Sequence, residues 1–257
     1  MRLSGRTVLI TGGTSGIGLA LSRQLLARGN TVIVTGRDQA KLDAARAEHP
    51  GLHVIRSDVA QPDQIVGLHE QVITQFPDLD VIFNNAGIMR NLDLTQTRDL
   101  ADITREIDVL LSGPLRMVQQ FLPHLLSRPQ ALIINISSGL AFVPMPVSPI
   151  YSAAKAALHA YSRSLRVQLT ATRVRVVEIA PPPVETALFR AEFAEEMAGE
   201  KAMDPAVLAG KVIAAIEAGN EEVRPGVANV LKIASRVAPE FMLRQMVKLG
   251  KPKRTAA

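Results

Sequence analysis

Tyr151 and Lys155 stand four residues apart in a stretch with helical spacing, so their side chains share one face. Ser138 precedes Tyr151 by thirteen residues and follows a β-rich run. A phenol, an ammonium and a hydroxyl brought together suit proton exchange with a carbonyl or alcohol oxygen. A free phenol titrates near pH ~10, too weak an acid for easy exchange at neutrality. A neighbouring ammonium is expected to stabilise the phenolate and lower that value. Tyr151 then serves as general acid in reduction and base in oxidation, while Ser138 holds the substrate oxygen. Ser137 lies beside Ser138 and competes with it for the cleft-facing position. Ser152-Ala153-Ala154-Lys155 also spells the S-x-x-K of serine hydrolases, but no Lys-Thr-Gly or Ser-Asp-Asn accompanies it.

Carbonyl reduction also needs a hydride donor, and the N-terminal sequence has the means to hold one. Thr11-Gly12-Gly13-Thr14-Ser15-Gly16-Ile17-Gly18 follows an apolar run and opens a helical stretch. Glycines 12, 16 and 18 permit a tight turn, close backbone approach to a phosphate, and close packing of the next helix. The helix N–H groups then face a pyrophosphate. The spacing is G-x-x-x-G-x-G, without the Lys-Ser/Thr of a P-loop. The second run ends Val34-Thr35-Gly36-Arg37-Asp38. An acid at that strand end would accept a ribose 2′-hydroxyl; here Gly36 stands there and Arg37 follows. A guanidinium at this place suits a 2′-phosphate, which favours NADP(H) over NAD(H).

The elements that must position these groups are legible in the periodicity. Runs rich in β-formers span Thr7–Thr11, Thr31–Thr35, His53–Ser57, Val81–Asn84, Ala131–Ser137 and Val174–Ala180. Between them lie helical stretches at Gly16–Arg28, Gln39–Glu48, Gln61–Gln75, Thr97–Ser127 and Tyr151–Ala171. Strands apolar throughout and separated by helices predict a parallel sheet covered on both faces. The expectation is an α/β, doubly wound, Rossmann-like domain whose ligands sit at the carboxyl ends of the strands.

With those residues in place, the chain resembles the classical short-chain dehydrogenase/reductase family from Leu3 to about Gly226. The resemblance rests on Thr11–Gly18, Asp58-Val59, Asn84-Asn85-Ala86-Gly87, Ser138, Tyr151-x-x-x-Lys155 and the run from Pro181 to Thr186. Within the family, Gly36-Arg37 and Pro181-Pro182-Pro183-Val184-Glu185-Thr186 resemble the DltE-like oxidoreductases. The resemblance implies an NADP(H)-dependent carbonyl reductase or alcohol dehydrogenase. It implies Ser138, Tyr151 and Lys155 as catalytic residues, with Tyr151 and Lys155 also touching the cofactor and Lys155 bonding the nicotinamide ribose. It places Gly12, Thr14, Ser15, Gly16, Ile17 and Gly18 on the pyrophosphate side and Arg37 by the ribose. Asp58 and Val59 would flank the adenine, with Asn85, Ala86 and Gly87 along the adenosine side. Pro181, Val184 and Thr186 would lie at the nicotinamide, with Thr186 on its carboxamide.

Two positions depart from the family's pattern. The relay asparagine, three residues ahead of a glycine in the long helix, is Leu110 here. Asp108 and Ser112 lie on nearly the opposite helical side, which leaves backbone as the means of holding a relay water. A slower enzyme is expected, and a nucleotide-binding sensor or interaction protein with little turnover is the alternative. Pro182 also fills a glycine's place after the sixth run and stiffens that segment.

Other features narrow the class. The chain has 257 residues, 47% apolar and 21% charged, enough for a full core in a single domain. The absence of cysteine excludes a disulfide scaffold, and the five histidines (His49, His53, His69, His124, His159) show no metal-ligand spacing. The +5 charge belongs to the tail. From Lys232 onward seven basic residues face Glu240 alone, against 22 basic and 23 acidic in the remainder, unlike a body built for nucleic acid. The apolar run near the N-terminus is too short for a signal segment, and a soluble, cytoplasmic protein is expected.

Leu140–Val147, Val184, Leu188, Phe189, Phe193 and Met197 predict an apolar pocket for a hydrophobic ketone, aldehyde or alcohol. Arg90 and Arg190 are read as solvated surface rather than as partners for an acidic substrate group. A homo-oligomer, dimer or tetramer, is expected from the family's habit of pairing the helices near Arg98–Ser127 and Tyr151–Ala171. Residues 227–257 form a basic extension with helical stretches at Val230–Val237 and Phe241–Leu249 and a fraying end at Lys251–Ala257. Its amphipathic face is expected to dock on the domain or a partner subunit. An anionic membrane surface and a nucleic-acid or acidic partner rank behind.

Overall fold

A computed structural model describes residues 1–193 and 202–249. Seven strands form one parallel sheet: β1 Thr7–Thr11, β2 Thr31–Gly36, β3 Leu52–Arg56, β4 Leu79–Asn84, β5 Ala131–Ile136, β6 Val174–Ile179 and β7 Glu222–Val223. Their order is β3-β2-β1-β4-β5-β6-β7, so the chain reverses its direction of travel between β1 and β4. A crevice opens at such a point because the connections leave on opposite faces.

Alternation along β1 shows how the core is divided. Val8 and Ile10 join Val34, Phe83 and Ile134 on the face covered by α1 Gly16–Leu26 and α8 Pro205–Glu217. Leu9 joins Ile33, Ile82 and Ile133 on the other face, covered by α3 Pro62–Gln75, α5 Gly113–Ser127 and α6 Pro149–Gln168. Each such side chain, removed from water, contributes about 1.5–3 kcal/mol. Two such layers explain why these runs are apolar at every position rather than at every second one.

The remaining helices are α2 Gln39–Glu48, α4 Leu100–Ile107, α7 Ala187–Phe193, α9 Val227–Val237 and α10 Pro239–Val247. Among the described residues no helix is long and apolar enough to cross a membrane.

Three differences from the periodicity reading have physical causes. β5 and β6 stop one residue earlier than expected, which leaves Ser137 and Ser138 in the turn beyond the sheet. β7 has two residues, too few for any period to show. The long helix starts at Leu100, capped by Asp99 on the N–H groups of Ala101 and Asp102, and is not continuous. A π-helical turn at Asp108–Ser112 separates α4 from α5, with the Gly113 N–H bonding the Asp108 carbonyl five residues back. Pro114 explains the break. It has no N–H to give the Leu110 carbonyl four residues earlier, and its ring crowds that oxygen.

Candidate active site

The glycine turn is built as its sequence requires. Gly12 and Gly16 have φ of +66° and +52°, where a side chain would be strained. A Cβ on Gly18 would sit 2.3 Å from the Gly12 carbonyl oxygen, and one on Gly12 would sit 2.8 Å from the Ala86 Cα. Gly13, outside the spacing of the other three, is equally constrained: its Cβ would sit 2.5 Å from Val34. The turn is tied to the end of β4. Asn85 Nδ2 donates to the carbonyls of Thr11 and Gly12 at 2.9 and 3.0 Å, and the N–H groups of Asn85 and Ala86 donate to Thr11 Oγ1.

These bonds reassign part of the Asn84–Gly87 run. Asn85 lines the crevice and commits its amide Nδ2 to holding the turn. Asn84 points into the core instead and donates to Asn135 Oδ1 at 2.8 Å. Ala86 and Gly87 line a second part of the crevice, with Asp58 and Val59.

That end of the crevice also holds Thr14, Ser15, Ser57, Arg37 and Lys41. Arg37 is exposed at its mouth. Asp38 caps α2, accepting from the Lys41 N–H at 3.2 Å. Lys41 is an addition to the residues expected there, although its place one turn beyond Arg37 at the start of α2 is a usable signal.

The other end is a cavity of about 390 Å³ that continues from Gly12, Ser15, Gly16 and Ile17 past Tyr151 and Lys155. Pro181, Val184 and Thr186 line it, and Thr186 Cγ2 would lie 3.0 Å from a Cβ on Gly16. Thr186 Oγ1 accepts from the Phe189 N–H at 3.2 Å, which leaves its own proton available to a ligand.

α6 presents Tyr151 and Lys155 together. Lys155 is 4% exposed, its Nζ donates to the Ile136 carbonyl at 2.6 Å and lies 5.6 Å from the centre of the Tyr151 ring. Ser138 lines the same cavity as the phenol and accepts from the Leu140 N–H at 3.1 Å. Ser137 turns away, its Oγ donating to Glu178 Oε1 at 2.5 Å, so Ser138 holds the cleft-facing position. Ser152 is buried and donates to the Ser148 carbonyl, with no role at the crevice.

One electrostatic expectation is corrected. Burial pushes the Tyr151 phenol up to about 12, with Ser138 pulling it down and the Glu106 charge adding to the rise. Burial likewise draws Lys155 down to about 8, against the upward pull of Glu178. Burial is therefore the largest influence on the phenol, and its pKa lies above the usual value rather than below it. Tyr151 is a protonated donor throughout the neutral range.

Leu110 is fully buried in the π-turn, packed with Val59, Val109 and Ala154 beside Tyr151. Leu110→Asn should lower stability by about 2–4 kcal/mol, because an amide would replace fully packed apolar contacts. A denaturant midpoint equal to the parent's would contradict that packing argument.

Arg90 is not solvated surface as expected. Its guanidinium binds Asp102 at 2.9 Å and its backbone N–H donates to buried Glu106 at 3.0 Å, so it braces α4. Arg190 pairs with Glu185 at 2.5 Å.

Of the expected pocket residues, Leu140, Met145, Val184, Leu188, Phe189 and Phe193 line the cavity. Val143 and Val147 pack behind it. Met197 and Lys251–Ala257 lie outside the described residues. Leu231 on α9, and Met246 and Leu249 at α10, join the lining without having been expected there. Their helical face is visible in the sequence, but nothing in the sequence tells which side of the domain it covers.

A glycine turn at a sheet's reversal point, leading to a tyrosine–lysine pair, defines a dinucleotide-dependent oxidoreductase. The sequence model of the short chain dehydrogenase family matches residues 6–197, and the chain belongs to that family. It is 44% identical over 189 residues to the uncharacterized oxidoreductase DltE of Bacillus subtilis (strain 168), covering 73% of this chain and 75% of that one. An uncharacterized oxidoreductase of Staphylococcus saprophyticus is 30% identical over 241 residues, 92% of this chain and 99% of the relative. Among solved structures, a short chain dehydrogenase from Burkholderia cenocepacia J2315 in complex with NADP superimposes with a TM-score of 0.82 at 26% identity. The match covers 96% of this chain and 99% of that one. A Burkholderia phymatum short chain dehydrogenase/reductase in complex with NAD shares the fold, at a TM-score of 0.82 and 20% identity, over 100% and 99% of the two chains.

Proposed function

We propose that this oxidoreductase uses NADP(H) to interconvert an apolar ketone or aldehyde and its alcohol, with Tyr151 as general acid in reduction. The observation that carries this reading is the phenol, with Ser138 and Lys155 beside it, on a cavity whose lining has no other charged side chain among the described residues. The glycine cradle fits a dinucleotide: Gly12 and Gly16 take positive φ and Gly18 packs on the Gly12 carbonyl, the tight turn that brings a helix N-terminus to a pyrophosphate. When bound, NADPH supplies the hydride. Ser138 holds the carbonyl oxygen, Tyr151 gives it a proton, and Lys155 orients the ribose and keeps positive charge beside the phenol.

Apolar walls favour substrates with hydrocarbon on both sides of the oxygen-bearing carbon. Incubation with NADPH and a carbonyl panel tests the reading; steady NADPH oxidation with an apolar ketone or aldehyde is expected. Leu110 favours the second reading, a nucleotide-binding sensor. Tight NADPH binding with no oxidation across the panel would establish it.

The cofactor preference rests on Arg37 and Lys41, two cations at the ribose end, and on Gly36 in place of an acid. Arg37→Ala should weaken NADPH binding by about 10–100-fold, the loss of one or two charge-assisted hydrogen bonds. NADH affinity should stay within about twofold. Fluorescence titration measures both; NADH binding tighter than NADPH in the parent protein would reverse the assignment.

A further inference from the structure

The C-terminal helices use their inner sides and leave their outer sides without a partner. Leu231 of α9 and Met242, Met246 and Leu249 at α10 all pack into the apolar cluster around Met145 and Phe193. Both helices therefore turn their opposite sides to solvent. Six of the thirteen large apolar side chains exposed among the described residues fall in this short stretch: Val227, Val230, Ile233, Val237, Phe241 and Val247. Val230, Ile233 and Val237 recur at three- and four-residue steps and form one stripe, with Val237 80% exposed.

Cations border that apolar surface. Arg236 adjoins the stripe, and Arg244 and Lys248 follow Phe241 at the same three- and four-residue steps, all three exposed. Among the described residues none of the three has an ion-pair partner, whereas Lys232 is tied to Glu222. Glu240 is the one acid on the two helices, and the sequence beyond them adds Lys251, Lys253 and Arg254 with no acid.

We propose that the outer face of α9 and α10 docks on an anionic lipid surface, with the two helices lying in its plane. The charge pattern selects this occupant. A second copy meeting the face about a two-fold axis would set these cations against their own kind. A nucleic acid would use the cations and leave six apolar side chains unserved. Anionic lipid takes both, headgroups to the cations and acyl chains to the stripe. The helices have 11 and 9 residues, and no helix among the described residues is long and apolar enough to cross a membrane. Their inner sides wall the cavity, so docking places that wall about one helix diameter, 10–12 Å, from lipid.

Cosedimentation of the full chain with vesicles tests the proposal and needs neither cofactor nor turnover, so its result is independent of the reductase reading. The protein should bind vesicles of phosphatidylcholine and phosphatidylglycerol in equal parts and stay off pure phosphatidylcholine. Salt raised to about 0.5 M should release most of it, because exposed charges are then screened. Ile233→Asp with Val237→Asp should weaken binding at least about tenfold. Arg244→Gln with Lys248→Gln should weaken it by about 10–30-fold. Both pairs are exposed, so melting temperatures should stay near the parent's. Val207→Asp, at an exposed valine on α8, should bind as the parent does.

Failure to bind the anionic vesicles, or equal binding to the neutral ones, overturns the proposal. So does binding that survives Ile233→Asp with Val237→Asp, since the attachment would then lie elsewhere. A parent that ignores vesicles but forms a dimer in sedimentation velocity, broken by the same pair, would give the face to a second copy and equally overturn it.

Discussion

Tyr151→Phe is expected to cut kcat for carbonyl reduction by about 10²–10⁴, the range spanned by loss of one positioned general acid. The substitution removes one oxygen. It leaves the ring in its place among Leu110, Val59 and Ala154, so the melting temperature should change little. NADPH affinity should stay within about threefold, because the glycine turn, Arg37 and Lys155 are untouched. The pH profile of the parent enzyme sharpens the test. With the phenol raised to about 12 by burial, Tyr151 stays protonated through neutral and mildly alkaline pH. Lys155, drawn down to about 8, is then the group whose titration limits reduction on the alkaline side. Stopped-flow NADPH oxidation with an apolar ketone, run from pH 6 to 10, reads both effects. If Tyr151→Phe retained most of its kcat with unchanged NADPH binding, the proton would have to come from elsewhere, and the phenol would no longer be the general acid.

The sequence carried the fold because the sheet is parallel and covered on both faces. Leu9 and Ile10 face opposite layers and both are apolar, so β1 reads as an unbroken run of the kind that only such a sheet needs. Gly12, Gly16 and Gly18 are legible for a related reason: each answers a constraint on the backbone, which residue type reports directly. Tyr151 and Lys155 are legible because helical spacing converts four residues of sequence into one shared face.

What stayed hidden depends on partners far apart in the chain. Glu178 looks like an interruption of an apolar strand until His159 and Ser137 arrive from other elements. That Asn85 also holds the glycine turn shows only when its amide is seen bonding the Thr11 and Gly12 carbonyls. The shift of the phenol is hidden for the same reason. Spacing shows the ammonium but not the loss of water around the phenol, which is what raises it. The π-turn is within reach of the sequence, since Pro114 removes the donor that the Leu110 carbonyl would need. It goes unseen while Leu110 is considered for its side chain and not for its backbone.

Lys155→Met should separate function from stability most sharply. An ammonium that is 4% exposed, with a carbonyl as its hydrogen-bond partner, is an expensive group to bury. Its pKa falls from 10.5 to about 8 because burial disfavours the charged form. The sign follows from proton counting. Between about pH 8 and 10.5 the unfolded chain holds this proton and the folded chain has released it, so stability rises with pH across that window. Below pH 8 both states hold it, and the full penalty, on the order of 3 kcal/mol, weighs on the fold.

Methionine is close to the lysine stem in length and brings no charge. Its net gain at pH 7 should be about 1–2 kcal/mol once the lost bond to the Ile136 carbonyl is subtracted, or a few degrees in melting temperature. The rise of stability between pH 8 and 10.5 should flatten. Activity should move the other way, with kcat/KM down by about 10²-fold or more, since the ribose contact proposed for Lys155 and the charge beside Tyr151 would both disappear. Thermal melts at pH 7 and 9.5 beside NADPH oxidation decide the matter. A variant that is less stable than the parent at pH 7 would mean that the protein compensates this buried charge fully. The view of the site as an arrangement held against its own stability would then be wrong.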